Sequence, residues 1–395
     1  MSETSVYDVV IVGGAVTGSS VACHLAADPG FSGRIAVIEK DPSYQRCASA
    51  LSAASIRQQY STAINVAISM YGIEFLRGIG DRLEVNGDRP EIGLVEQGYL
   101  FLATEAGRDV LVENHAVQIA GGADVVLEDP AELVARFPWL NVEDIVAGSF
   151  GRSGEGWFDG YGLMQAFRRK ARSLGVDYLA DTAVSVSRDG DRITGLGLAS
   201  GRTLSVGTLV NAAGAGGAAL ARAAGLDIPI HVKKRMIFTF SCADKVEKCP
   251  LMIDPTGVYV RADGRDFLCG WQPPEDQDPD VVDDFDVDYS FFEEGIWPIL
   301  ANRVPAFERI RQKAAWAGYY DMNLFDHNAF VGQAPGYANF YLANGFSGHG
   351  LQQSPAVGRG LAELIVDGCF RTLDLSPLSP ARMLENRPLI EKNIV

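Results

Sequence analysis

After the apolar run Val9 to Val12 the chain reads Gly13, Gly14, Ala15, Val16, Thr17, Gly18, and a carboxylate, Glu39, closes the next apolar run, Ile35 to Ile38. Small residues at this spacing suit a backbone that approaches phosphate. Gly13 permits a tight turn, Gly18 lets the following helix pack close to the strand, and the first helical N–H groups face an anion with the positive end of the helix dipole behind them. A carboxylate about 20 residues further on accepts from a ribose 2′-hydroxyl and argues against a 2′-phosphate. The pattern G-x-G-x-x-G departs at its middle glycine, which is Ala15. Its methyl group is tolerable where φ is negative, or it pushes the pyrophosphate outward. Taken alone, the fingerprint serves NAD and FAD equally well.

Two further turns of similar composition follow strand-like runs. The run Thr208 to Asn211 leads into Ala212 to Gly217, and Phe340 to Ala343 leads into Gly345 to Gly350. Each brings backbone to the end of a strand, where a ligand can meet it. The elements that must hold these turns are legible as a βαβ opening, with a small-residue helix from Ser19 to Ala27. A last helix is signposted by Ser354 as N-cap, Pro355 at N1 and Gly368 at C′. Between them, 41–55 reads as a loop of small residues, Ile56 to Arg82 as a helix, Tyr99 to Ala103 as a strand, and Glu105 to Ala120 and Pro130 to Phe137 as helices. Asp159 to Leu174 reads as a helix, and Val184 to Leu204 as paired strands around Asp189-Gly190-Asp191. Residues 228–322 alternate in strand fashion, interrupted by a helix from Phe291 to Arg303, which predicts an antiparallel sheet. The expected fold is α/β: a discontinuous Rossmann-like dinucleotide domain over 1–82, 149–227 and 323–395, with a second α+β domain over 83–148 and 228–322 built on that antiparallel sheet.

A length of 395 residues, 47% of them hydrophobic, accommodates two such cores. The formal net charge of −16 disfavours nucleic acid and anionic membranes as partners. No apolar run approaches the roughly 18 residues of a membrane span, and the N-terminus lacks a signal-type core, so a cytoplasmic location is expected. Six cysteines and five histidines are scattered without metal or disulfide spacing, which predicts reduced thiols and no metal centre.

Jointly, Val10 to Gly18 with Glu39, Ser52-Ala-Ala54, Leu209 to Gly214, Gly318 to Asn323 with Asp326 and Phe330-Val-Gly332, and Gly345 to Pro355 resemble the FAD-dependent amine and amino acid oxidoreductases that include D-amino acid oxidase, sarcosine oxidase and glycine oxidase. The resemblance covers nearly the whole chain and implies a glutathione-reductase-type FAD-binding domain. It implies noncovalent FAD with its ADP half on Gly13, Gly14, Ala15, Val16, Thr17, Gly18, Glu39 and Lys40, and Val184, Ala213 and Gly214 along the adenosine side. The flavin ring would sit under Ser49, Ser52, Ala53 and Ala54 and against Gly345, Phe346, Ser347, Gly348, His349, Gly350 and Leu351. A helix N-terminus there would stabilise the anion formed on reduction.

Relatives clamp the substrate carboxylate with an arginine from a G-x-R motif, but here that place reads Gly318-Tyr-Tyr320. Arg57 and Arg235 are the replacement candidates, Tyr60, Tyr259 and Tyr320 candidate walls, and His349 a candidate acceptor for an amine proton. The resemblance implies hydride transfer from a carbon bearing an amine to the flavin N5, with hydrolysis of the imine product. D-amino acids, N-alkyl glycines and opine-like secondary amines all fit, and oxidation of a 2-hydroxy acid stays open. So does a non-catalytic flavoprotein subunit or assembly factor. The lysine that promotes reaction with oxygen in sarcosine oxidases is missing from Phe267 to Gly270, and no tethering cysteine lies in Tyr319 to Phe325. The expected electron acceptor is therefore a quinone or electron-transfer protein ahead of oxygen.

Overall fold

The computed structural model describes residues 5–392, and two eight-stranded sheets dominate it. Strand Ser5–Val12 is buried on both faces over its second half, as a central strand of a parallel sheet must be. It runs parallel to Thr203–Asn211 on one side and Ile35–Glu39 on the other. Phe340–Asn344 and Asp177–Ala180 extend the parallel order outward, and Phe330–Gln333 closes one edge antiparallel. The register pairs Val12 with both Ile38 and Asn211, and Asn211 with Leu342. All three glycine-rich turns therefore leave adjacent strands at their carboxyl ends, on one rim of the sheet. Such a rim is where open α/β sheets take ligands.

Helices Val16–Ala27, Gly160–Ser173 and Gly350–Asp367 share one hydrophobic core with this sheet. Two helical expectations change. Ile56 sits in a two-residue strand paired with Gly156, and the helix starts only at Ala63, running Ala63–Arg77 and then Ile79–Arg82. The intervening stretch cannot be helical because its amides bond elsewhere: Arg57 N donates to Gln352 Oε1 and Gln58 N to Glu155 Oε1. The last helix begins at Gly350 with His349 at its N-cap, so Pro355 lies inside it. Proline cannot donate to the carbonyl four residues back, and that carbonyl, Leu351 O, accepts the Ser354 hydroxyl at 2.9 Å instead. Its end at Gly368, φ +73°, is as expected.

The second sheet runs Ile310–Asn323, Ile230–Cys242, Asp266–Trp271, Val258–Asp263, Leu251–Ile253, Tyr99–Ala103, Ala147–Gly151, Val125–Glu128. It is antiparallel except for Leu251–Ile253 against Tyr99–Ala103, which are parallel. The expected helix from Phe291 to Arg303 is a π turn, Phe291–Ile296, followed by an α-helix, Trp297–Arg303, with Pro298 in its first turn. Among the described residues all six cysteines are free, no three metal-ligating side chains cluster, and no helix is long and apolar enough to cross a membrane.

Candidate active site

Gly13 has φ +100°, and a Cβ on it would lie 2.2 Å from Ala212 O; one on Gly18 would lie 1.8 Å from Gly13 O. Both glycines are therefore demanded by the approach of strand, turn and helix. Ala15 caps the helix with φ −70°, so its methyl costs nothing there. No side chain caps the helix by the usual N-cap bond, but Ser49 Oγ accepts from Val16 N at 3.3 Å and ties the 41–55 loop to the helix N-terminus. Glu39 accepts from Gly14 N at 2.9 Å and from Asp41 N at 2.8 Å.

These groups open onto a cavity of about 700 Å³. Gly13, Ala15, Val16, Thr17, Glu39, Lys40, Ser49, Ser52, Ala213, Gly214, Phe346, Gly348, Gly350 and Leu351 line it. Val184 does not: its strand peels away to pair with Arg192–Leu198, leaving it 57% exposed, and Thr182 takes the place at the cavity wall. Gly14, Gly18, Gly345 and Ser347 lie behind the wall. The amides of Gly345 and Phe346 are taken by Asp321, whose Oδ2 accepts from them at 2.8 Å and 3.3 Å. Burial pushes the Asp321 carboxyl up to about 6, against the pull of those amides. A flap from the second sheet also reaches the cavity. Its Phe285 packs on Tyr319 at 4.3 Å, with Arg46 5.2 Å above the ring. Asp278, Asp280 and Asp284 fasten the flap to Arg235, Lys233 and Lys234.

A second cavity of about 40 Å³, room for about three water-sized groups, adjoins the first through shared wall residues Ser52, Tyr320, Gly348 and Leu351. Ala53, Ala54, Arg57, Tyr99, Tyr259, His349 and Gln352 complete most of its wall. Arg57 is 1% exposed, and its guanidinium lies 4.1 Å from the Tyr60 ring centre and 5.3 Å from that of Phe101. Arg57 Nη2 meets His349 Nε2 at 2.9 Å. A guanidinium only donates, so this imidazole nitrogen accepts and His349 is neutral.

Residues 8–364 match the family model described as DAO, FAD dependent oxidoreductase. The chain belongs to this family. FAD-dependent oxidoreductase domain-containing protein 1 of Xenopus laevis is 41% identical over 423 residues, spanning 98% of this chain and 85% of that protein. The mitochondrial sarcosine dehydrogenase of Homo sapiens is 26% identical over 292 residues, 70% of this chain and 31% of that protein. L-proline dehydrogenase from P. horikoshii shares the fold with a TM-score of 0.83 at 24% identity, covering 98% of this chain and 100% of that one. Glycine oxidase from Geobacillus kaustophilus does so at 0.81 and 24%, covering 96% and 99%.

The donor set of the large cavity fits the FAD on which this family depends. A strand–turn–helix junction that admits only glycine at Gly13 and Gly18 sets a helix N-terminus beside that cavity. Glu39 uses two backbone donors, and a carboxylate has about four lone-pair sites. Three expectations about the flavoenzyme's substrate residues change. Arg235 lines neither cavity; its guanidinium makes two bonds to Asp278, at 2.7 and 2.8 Å, and lies 5.1 Å from the Tyr320 ring centre. Tyr60 is a buried shelf under Arg57, with its hydroxyl held by Gln352 Nε2, and touches neither cavity. His349 has its Nε2 taken by Arg57, and burial together with that cation lowers its pKa well below the ordinary range, so it is no proton acceptor near neutral pH. Tyr99, Gln352 and Asp321 also line the cavities, and no sequence pattern marks them. Tyr99 lies in an ordinary apolar strand run, and Gln352 and Asp321 lie inside motifs defined by their glycines and tyrosines.

Proposed function

We propose that this FAD-dependent oxidoreductase oxidises the C–N bond of a small α-amino acid or N-substituted α-amino acid, giving an imine that water hydrolyses. One observation carries the reading: a buried cation, Arg57, lines a small cavity whose wall is shared with the large one. FAD, bound along the large cavity, supplies the two-electron acceptor. Arg57 anchors the substrate carboxylate in a setting where a charge-assisted bond is strong. Tyr259 and Tyr320 wall the reacting carbon. Among the described residues no Asp or Glu lines the small cavity, which favours an anionic group and disfavours a cationic side chain. With His349 occupied, the amine enters already neutral, so the rate of oxidation climbs with pH toward the amine's own pKa.

The flavin is held noncovalently in this reading. Cys47 lines the large cavity, but burial pushes its thiol up to about 11, and a protonated thiol is a poor nucleophile. The place of the oxygen-promoting lysine falls on Leu268, 3% exposed and packed among hydrophobic side chains. Electrons therefore leave to a quinone or electron-transfer protein faster than to oxygen.

The test is an anaerobic screen of D-amino acids, N-alkyl glycines, opine-like secondary amines and 2-hydroxy acids, read by loss of flavin absorbance. A small amine-bearing acid bleaches the flavin, and Arg57→Ala lowers kcat/KM for it by about 30 to 1000-fold, the equivalent of about 2–4 kcal/mol. Bleaching by hydroxy acids alone, or an unchanged kcat/KM in Arg57→Ala, overturns the reading.

A further inference from the structure

Glu155 is a fully buried carboxyl that lies behind Arg57 and lines neither cavity. Its Oε1 accepts from Gln58 N at 2.5 Å and its Oε2 from Gln59 Nε2 at 2.8 Å. Gln59 in turn accepts Arg57 Nη1 through its backbone oxygen, and Arg57 Nη2 reaches His349 Nε2. Gln59 thus bridges the two, its side-chain amide on the buried carboxyl and its backbone oxygen on the cation at the cavity wall. Charges in such an interior are weakly screened, so each one sets the field at the other. A buried carboxylate is costly to keep ionised, and any gain of negative charge beside its cation makes it more so.

We propose that Glu155 is a counter-charge of Arg57 and takes up one proton from solvent when a substrate carboxylate settles against that guanidinium. The inference rests on Arg57 as the anchor. One proton passes from a buffer acid in solvent to a Glu155 oxygen, leaving the buffer's conjugate base, and no bond of the substrate changes. The substrate's negative charge replaces that of Glu155 beside Arg57, and the net charge of the cluster is conserved. Burial pushes the Glu155 carboxyl up to about 7, with the amides of Gln58 and Gln59 and the Arg57 charge pulling it down. Tyr60, Tyr99, His349 and Glu96 also face this cluster, and the direction of each shift keeps its charge fixed near neutral pH. Burial raises the phenols of Tyr60 and Tyr99 and lowers His349. Glu96, whose Oε2 takes Gly154 N, is paired with Arg77, and Glu391, beyond Tyr60, accepts from Ser61 and Thr62. Since anion binding raises the affinity of Glu155 for its proton, linkage requires that the anion bind more weakly as pH rises through the range where free Glu155 ionises.

Propionate is the probe, because it carries the carboxylate and has no amine to titrate or oxidise. Its Kd on the FAD-loaded enzyme, read from the flavin absorbance, rises about 5- to 10-fold between pH 6 and 8.5. Calorimetry in two buffers of different ionisation enthalpy finds proton uptake near pH 7.5. Glu155→Gln binds propionate with a flat pH profile, and Glu155→Asp, which keeps a charge to neutralise, retains a slope. No proton uptake by the wild-type enzyme, or a Glu155→Gln profile as steep as the wild type, sinks the proposal whether or not other variants fold. Unchanged propionate binding in Arg57→Ala sinks the anchor reading instead. Lost binding in Arg57→Ala beside a flat wild-type profile sinks the coupling alone.

Discussion

Around the large cavity the chain presents mostly backbone and short side chains, from turns at Gly13 to Thr17, Ala212 to Gly216 and Gly348 to Gly350. The small cavity beside it is walled by long side chains, Arg57, Tyr99, Tyr259, Tyr320 and Gln352, which arrive from separate stretches of chain. In the proposed reading the difference reflects what each has to hold, a dinucleotide in one and a substrate in the other. A pyrophosphate is met by N–H groups at the carboxyl ends of parallel strands, a property of the fold that tolerates few residue types. A substrate is met by side chains, and these can change with little effect on the cradle. Breaking the first region should therefore abolish everything downstream, and breaking the second only selectivity and rate.

Gly18→Val is the harshest test of that division. A Cβ there would sit 1.8 Å from Gly13 O, a backbone atom that cannot move without displacing the strand end. The expected product is largely insoluble, and its soluble fraction carries no flavin, measured as the ratio of flavin to protein absorbance. Arg57→Ala, by contrast, keeps its full complement of flavin while losing catalysis. A flavin-free Arg57→Ala would show that the two regions are not separable.

The same division explains what was legible in the sequence. Turns rich in glycine, the strands before them and Glu39 are encoded within short windows, and each stands where the local pattern put it. Val184 stands off the cavity because the hairpin register slips beside it, Ser185 pairing with Gly197 and Ala183 with Leu198, which leaves it exposed. The reading of Ile56 to Arg82 as one helix failed because the amides of Arg57 and Gln58 are captured by Gln352 and Glu155, 295 and 97 residues away. No local periodicity encodes such partners. Arg235 looked equal to Arg57 as a basic residue near aromatics, and only the flap's Asp278 separates them.

That last contrast is itself testable. The Arg235 and Asp278 side chains are 6% and 11% exposed, so Arg235→Ala leaves a mostly buried carboxylate without its cation. Removing one partner of a buried pair is destabilising, and an exposed edge at Asp278 moderates it to about 1–3 kcal/mol, seen as a fall in Tm. The value of kcat/KM stays within about threefold of wild type, since the residue touches neither cavity. A loss as large as that of Arg57→Ala would make Arg235 a second anchor and the flap a movable part of the substrate site.

The smallest effect is expected at Ala15, the one departure from the glycine fingerprint. Two accounts of its methyl group compete. If the methyl crowds the pyrophosphate, Ala15→Gly restores the full pattern and tightens FAD binding. The backbone argues otherwise: φ of −70° and ψ of −164° are ordinary for alanine, and no left-handed conformation calls for glycine. Glycine would then only widen the unfolded ensemble, costing about 0.4–1 kcal/mol of stability. The expected outcome is a slightly lower Tm and an FAD Kd within about threefold of wild type, measured by titrating flavin back onto stripped protein. A tenfold tighter Kd would show that the cradle reads side chains as well as backbone, and would narrow the contrast between the two cavities.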